Sequence, residues 1–132
     1  MKNKSKLAKI RKPKQPDYPK DWLYMCEKEL ELVALKERLE GEYSVEYWEE
    51  AGVLEVELNE EATVDFETVA LNRADDVTKD FMETKGIKTV FLVSIRPEHF
   101  EASKIVMEKI TGTEGGFFCG DTADFTPVVK NV

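Results

Sequence analysis

The stretch Thr89-Val90-Phe91-Leu92-Val93-Ser94-Ile95 is apolar on both alternations: Val90 and Leu92 on one, Phe91, Val93 and Ile95 on the other. A strand with that pattern is covered on both faces. Its β-branched and aromatic content favours a strand over a helix, and Pro97 closes it. We expect it to be the central strand, with helical patterns before and after it.

Upstream, three short segments alternate cleanly. In Tyr43–Trp48, Tyr43, Val45 and Tyr47 share one side, opposite Ser44, Glu46 and Trp48. In Val53–Leu58, Leu54, Val56 and Leu58 oppose Glu55 and Glu57, and in Thr63–Val69, Val64, Phe66 and Thr68 oppose Asp65 and Glu67. Alternation of this kind marks half-buried antiparallel strands, joined here by turns at Glu50-Ala51-Gly52 and Asn59-Glu60-Glu61.

Helical spacing surrounds the strands. Asp21 is placed as an N-cap, and a helix is expected from Trp22 to about Glu40, ended by Gly41. It carries one stripe of Leu23, Cys26, Leu30, Val33 and Ala34. A second set, Met25, Leu32, Leu35 and Leu39, lies nearly opposite. Surface helices normally show one apolar stripe. The second implies either cover from the same chain or a homodimer through those four residues. A second helix is expected from Arg73 to Lys85, capped by Asn72, burying Ala74, Val77, Phe81 and Met82. A third is expected from Pro97 to Thr111, burying Ala102, Ile105, Val106 and Ile110. Phe125–Val129, with Pro127, suits a last edge strand.

The resulting order is helix, three strands, helix, strand, helix, strand. It predicts an α+β two-layer sandwich: a long N-terminal helix, then an antiparallel meander feeding β-α-β units, ferredoxin-like or related.

Composition adds a division. The 132 residues, 42% of them hydrophobic, suit one domain with its own core. No run approaches the ~18 apolar residues of a membrane span. The N-terminus is basic without the apolar stretch of a secretory signal. Cys26 and Cys119 are far apart with no CxxC, which suits reduced thiols and a cytoplasmic location.

The net charge of −8 is uneven. Residues 1–16 hold Lys2, Lys4, Lys6, Lys9, Arg11, Lys12 and Lys14 and no acid. Removing those seven from 19 basic residues leaves twelve against 27 acids, a net −15. Residues 1–16 therefore read as a disordered basic arm and 17–132 as a single α+β domain. So acidic a body repels nucleic acid, leaving only the arm to touch it.

Two places are candidates for function. If adjacent strands of the meander pair, Glu46, Glu55, Glu57, Asp65 and Glu67 project on one face with Trp48 at its edge. Like charges facing across strands destabilise a sheet, so the face either serves as a solvated guard against aggregation or docks a basic protein, with Trp48 as an anchor. The second place lies past the end of the central strand. His99, the only histidine, stands beside Arg96, and folding would have to bring Cys119 and Asp121 to them.

No cofactor or metal is expected. The acids lack EF-hand spacing, and Cys26, Cys119 and His99 cannot complete a zinc site without carboxylates. The glycines of Gly115–Gly120 form neither a Walker A nor a Rossmann loop.

The small acidic α+β outline resembles that of bacterial ribonuclease regulators and toxin-immunity proteins, without a matching motif, so no site transfers. The leading expectation is a non-enzymatic interaction module, of the inhibitor or immunity type, that docks a basic, nucleic-acid-binding partner. The alternatives are a small-molecule-binding domain or enzyme with a pocket at Arg96, His99, Cys119 and Asp121, and a self-associating structural protein.

Overall fold

Asp21–Cys26 is a strand, not the first turns of a helix. The computed structural model describes residues 18–59, 61–70 and 75–131. The basic arm, residues 1–16, and the expected cap Asn72 with Arg73 and Ala74 lie outside the described residues. Along the chain run β1 (Asp21–Cys26), α1 (Leu32–Leu39), β2 (Ser44–Trp48), β3 (Val53–Asn59) and β4 (Ala62–Thr68). Then follow α2 (Asp76–Lys85), β5 (Thr89–Ser94), a 3-10 turn at Pro97–His99, α3 (Phe100–Glu114), β6 (Phe117–Gly120) and β7 (Val128–Val129). The strands form one sheet in the order β2-β3-β4-β5-β1-β6-β7. Every adjacent pair is antiparallel.

The meander β2–β3–β4 stands within one or two residues of its expected limits. The stretch expected to be central, β5, is the middle strand of the seven. Among the described residues there is no long N-terminal helix. In its place β1 pairs over six positions with β5 and over four with β6. Trp22, Tyr24 and Cys26 pack on one face of the sheet and Leu23 and Met25 on the other. The pattern that resembled two helical stripes is a strand apolar at both parities.

Long-range contacts stop the helical option here. The buried Thr89 hydroxyl accepts from the Leu30 amide at 2.8 Å and donates to the Lys28 carbonyl at 2.7 Å. This holds the chain in a turn, so the helix begins only at Leu32. The Trp22 indole N–H donates to the Pro19 carbonyl, and the Tyr24 hydroxyl donates to the Gly115 carbonyl at 2.7 Å.

The homodimer seam is also corrected. Met25 lies on β1, while Leu32, Leu35 and Leu39 lie on α1, and all four are buried within their own chain. Nor is the molecule two layers throughout. α1 and α3 pack on the face carrying Trp22, Leu54, Phe66 and Phe91. α2 covers the opposite face through Met82 and Phe81, over Leu23, Met25, Val90 and Cys119. The expected β-α-β units are altered likewise. β4 and β5, joined through α2, are antiparallel. β5 and β6 run parallel, but with β1 between them. Two expected core residues, Val77 on α2 and Ile105 on α3, are exposed instead.

α2 is capped by Asp75, whose carboxylate accepts from the Thr78 amide at 2.7 Å, and it ends at Gly86 with φ of 69°. Gly116, φ 76°, lets the chain turn from α3 into β6; a Cβ there would fall on the Met25 carbonyl oxygen. Among the described residues no helix is long and apolar enough to cross a membrane.

Leu35 tests the reassignment of α1. Truncation to alanine opens a cavity inside a single chain and should cost about 2–5 kcal/mol of unfolding free energy. Chemical denaturation should show the same loss at low and high protein concentration. A loss that grows on dilution would restore the seam between two chains.

Candidate functional site: an acidic sheet face

The register of the meander determines where its charges go. Glu46 on β2 stands opposite Glu55 on β3, and Glu55 stands opposite Asp65 on β4. Directly opposed residues share a face, with Cβ atoms about 4.5–5.5 Å apart. Two positions along on the same face, Trp48 opposes Val53, which opposes Glu67. In the other direction, Ser44 opposes Glu57, which opposes Thr63. Glu46, Trp48, Glu55, Glu57, Asp65 and Glu67 are thus together on one side. The other side of the same strands is apolar and packs on α1.

The row of carboxylates continues past the meander. Asp65 opposes Ser94 on β5, and Ser94 opposes Asp21 on β1. Beyond Asp21, the Asp121 amide donates to the Asp21 carbonyl. Asp21 had been assigned to a helix cap and Asp121 to a pocket. The signal that places Asp21 is that it precedes a run apolar at both parities, which is a strand signature.

Glu55, with a carboxylate on either side and Glu57 next along the strand, is pushed above the ordinary glutamate range, first by burial and then by Asp65, Glu46 and Glu57. Asp65 is also raised by burial, partly opposed by the Thr63 hydroxyl. One of its oxygens, Oδ1, is buried with no hydrogen-bond partner. Asp121 is raised by burial, then by Asp21 and Asp75. None of the ion pairs among the described residues involves these carboxylates. Arg96, two residues past Ser94, points its guanidinium at the Glu61 carbonyl and at Glu98.

Trp48 is 45% exposed, whereas the other tryptophan, Trp22, is fully buried. Towards β5 and β1 the same face changes character. Leu92, Val90 and Leu23 replace the acids and are covered by α2 and Phe125.

The second candidate place shows no bonded constellation. Cys119 is wholly buried in the cluster beneath α2, with its thiol pushed up to about 12 by burial and by Asp121. His99 leads into α3, which packs on the opposite face, and its carbonyl accepts from Ser103. Arg96 is exposed and bonded elsewhere. No hydrogen bond or ion pair joins any two of Arg96, His99, Cys119 and Asp121 among the described residues.

Cys26 and Cys119 are free thiols on opposite faces of the sheet. An open cleft of about 340 Å³ lies between the start of α1 and the β2–β3 turn, lined by Tyr47, Glu49, Glu50, Thr68 and Phe91 among others. It includes none of those four residues. No group of three or more His, Cys, Asp and Glu side chains among the described residues is placed to hold a metal ion. Compared with protein-family models, curated proteins and solved structures, the chain matches none of them.

Two outcomes test this geometry. A carboxyl group raised on folding makes the folded state bind protons that the unfolded state has released. Stability therefore falls as pH climbs from the ordinary carboxylate range through the raised value. Glu55→Gln should remove that penalty and stabilise the protein by about 0.2–1 kcal/mol at pH 7. The gain should shrink as the pH drops through the ordinary carboxylate range, where the acids of the row lose their charge; a gain independent of pH would show that the neighbouring charges are not its cause. Neither thiol should react with Ellman's reagent in the native protein, and both should react after unfolding. Prompt native labelling of Cys119 would contradict its burial.

Proposed function

We propose that this protein is a non-enzymatic interaction module whose acidic sheet face docks a basic protein segment. The reading is carried by one observation: Glu46, Glu55 and Asp65 oppose one another directly across three strands, with no cation paired to them among the described residues. Cross-strand like charges work against the sheet, and a basic partner turns that repulsion into attraction. Trp48, exposed at the rim beside Glu46, supplies the aromatic contact that anchors such interfaces. β2 is also an edge strand, so a partner strand can lie along it with alternate side chains over Glu46 and the face.

Charge of this kind acts on encounter rate and on choice of partner more than on raw affinity. A partner whose basic surface normally meets phosphates would be held off its nucleic acid by the same contact, which is the inhibitor or immunity-type form of the reading. With no hydrogen bond or ion pair joining Arg96, His99, Cys119 and Asp121 among the described residues, no specific observation favours the pocket reading.

Trp48 provides the assay, since Trp22 is shielded from solvent. Titrating an arginine-rich peptide should shift the Trp48 emission at low salt, and the midpoint should move to higher peptide concentration as salt rises. Changing Glu55, Glu57, Asp65 and Glu67 to their amides should weaken binding at least tenfold. An unchanged midpoint in that variant would rule the face out as the docking surface.

A further inference from the structure

α2 is the helix least tied to the fold. Of its ten residues, Asp76–Lys85, only Met82 is buried. By contrast α1 buries three of eight residues and α3 six of fifteen. Among the described residues, every hydrogen bond of Asp75–Ile87 stays within that segment, and no ion pair joins α2 to another element. What holds α2 down is apolar. Met82 sits in the cluster with Leu23, Met25, Val90 and Cys119, and the Phe81 ring stacks on Phe125 with centroids 4.1 Å apart, edge-on to Phe117. The chain is fixed to the sheet again at Lys88, whose amide donates to the Cys26 carbonyl at 2.8 Å. Gly86, in the left-handed region, stands between that bond and the helix.

The strands beneath do not need the helix to stay paired. The ladders of β1 with β5 and β6 are backbone bonds in which α2 has no part, and the other face keeps α1 and α3. A segment joined to its fold by few buried contacts opens at a lower free energy than the whole. A helix of ten residues stripped of its apolar contacts is too short to persist in water, so undocking and unwinding go together.

We propose that α2 is a lid that opens on its own, short of global unfolding, and that this opening gives access to Cys119. Cys26 lies on the other face, where its thiol donates to the Glu114 carbonyl of α3, and it stays closed until the sheet comes apart. The two thiols thus differ in kind: one is conditional on a single helix, the other on the whole fold. Opening is a rare event, so the closed protein shows no prompt labelling. The lid lies over β5, β1 and β6, away from the acidic meander, and the inference does not depend on docking.

Alkylation by N-ethylmaleimide over hours, read by peptide mass, and amide hydrogen exchange test the lid in urea concentrations below the unfolding transition. Cys119 labelling and exchange of the α2 amides should report one opening constant. Both should change little with urea, because the opening exposes little surface. Cys26 labelling and exchange of the β1 amides should be slower by about tenfold or more and should climb steeply with urea. Equal labelling of the two thiols, or a Cys119 rate as steep in urea as the β1 amides, would overturn the lid.

Phe81→Ala separates the helix from the thiol. It should raise α2 exchange and Cys119 labelling by the same factor, roughly tenfold. Faster α2 exchange with Cys119 labelling unchanged would show that Phe125, not the helix, guards the thiol, and would overturn the claim of access.

Discussion

The two ladders of β1 hold this sheet together. On one side β1 pairs with β5, which carries β4, β3 and β2; on the other it pairs with β6, which carries β7. Remove it and the sheet divides in two. That role explains its composition. A strand inside a sheet with helices on both faces must be apolar at both parities, and Trp22, Leu23, Tyr24, Met25 and Cys26 are all buried. Its backbone groups are satisfied by partners on both sides, and its aromatic residues fill the space beneath α3 and beside Phe118. Both candidate places are set by this arrangement: the acidic row crosses β1 at Asp21, and Cys119 is buried because β6 lies against β1.

The face opposite α1 and α3 is split by chemistry as well as by cover. Over β5, β1 and β6 it is apolar and α2 closes it. Over β2, β3 and β4 it carries carboxylates, and no helix of the described residues lies on it. The change falls between Glu67 on β4 and Leu92 on β5, which oppose each other in register. A helix lying over the acids would have to desolvate them, at a cost of several kcal/mol for each charge left unpaired. The carboxylates therefore keep their half of the sheet open to water, and Glu55 and Asp65, the most enclosed of them, have raised proton affinities, through burial in both and through neighbouring carboxylates as well in Glu55.

How much of this could be read beforehand depended on how local the cause was. The meander was legible because its alternation, its turns and its charged side lie within a few residues of one another. Placing Glu46, Glu55 and Asp65 on one face followed from neighbour pairing alone. β1 was not legible. Its residues also fit i, i+3 and i+4 spacing, and what selects the strand is remote: β5 and β6 as partners, and the Thr89 hydroxyl that bends Lys28–Leu30. The same error hid Asp21 from the acidic row. Val77 and Ile105 were expected inside because apolar residues at helical spacing look alike. The phase of each helix is set by its strongest anchors, Met82 on α2, and Phe100, Val106 and Ile110 on α3, which turn those two outward.

The position of β1 in the chain also shapes how the protein is made. Asp21 pairs with Ser94, and Trp22 with Gly120, so β1, the earliest of the described strands to be synthesised, is separated from its neighbours by most of the sequence. At the usual ~5–20 residues per second, those neighbours follow only after several seconds. During that interval Trp22–Cys26 is a sticky apolar segment with nowhere to go, while the hairpins of β2, β3 and β4 can already close behind it. Nascent chains of this protein therefore expose β1 before any other described part of the core, and a ribosomal pause downstream of β4 would lengthen that exposure.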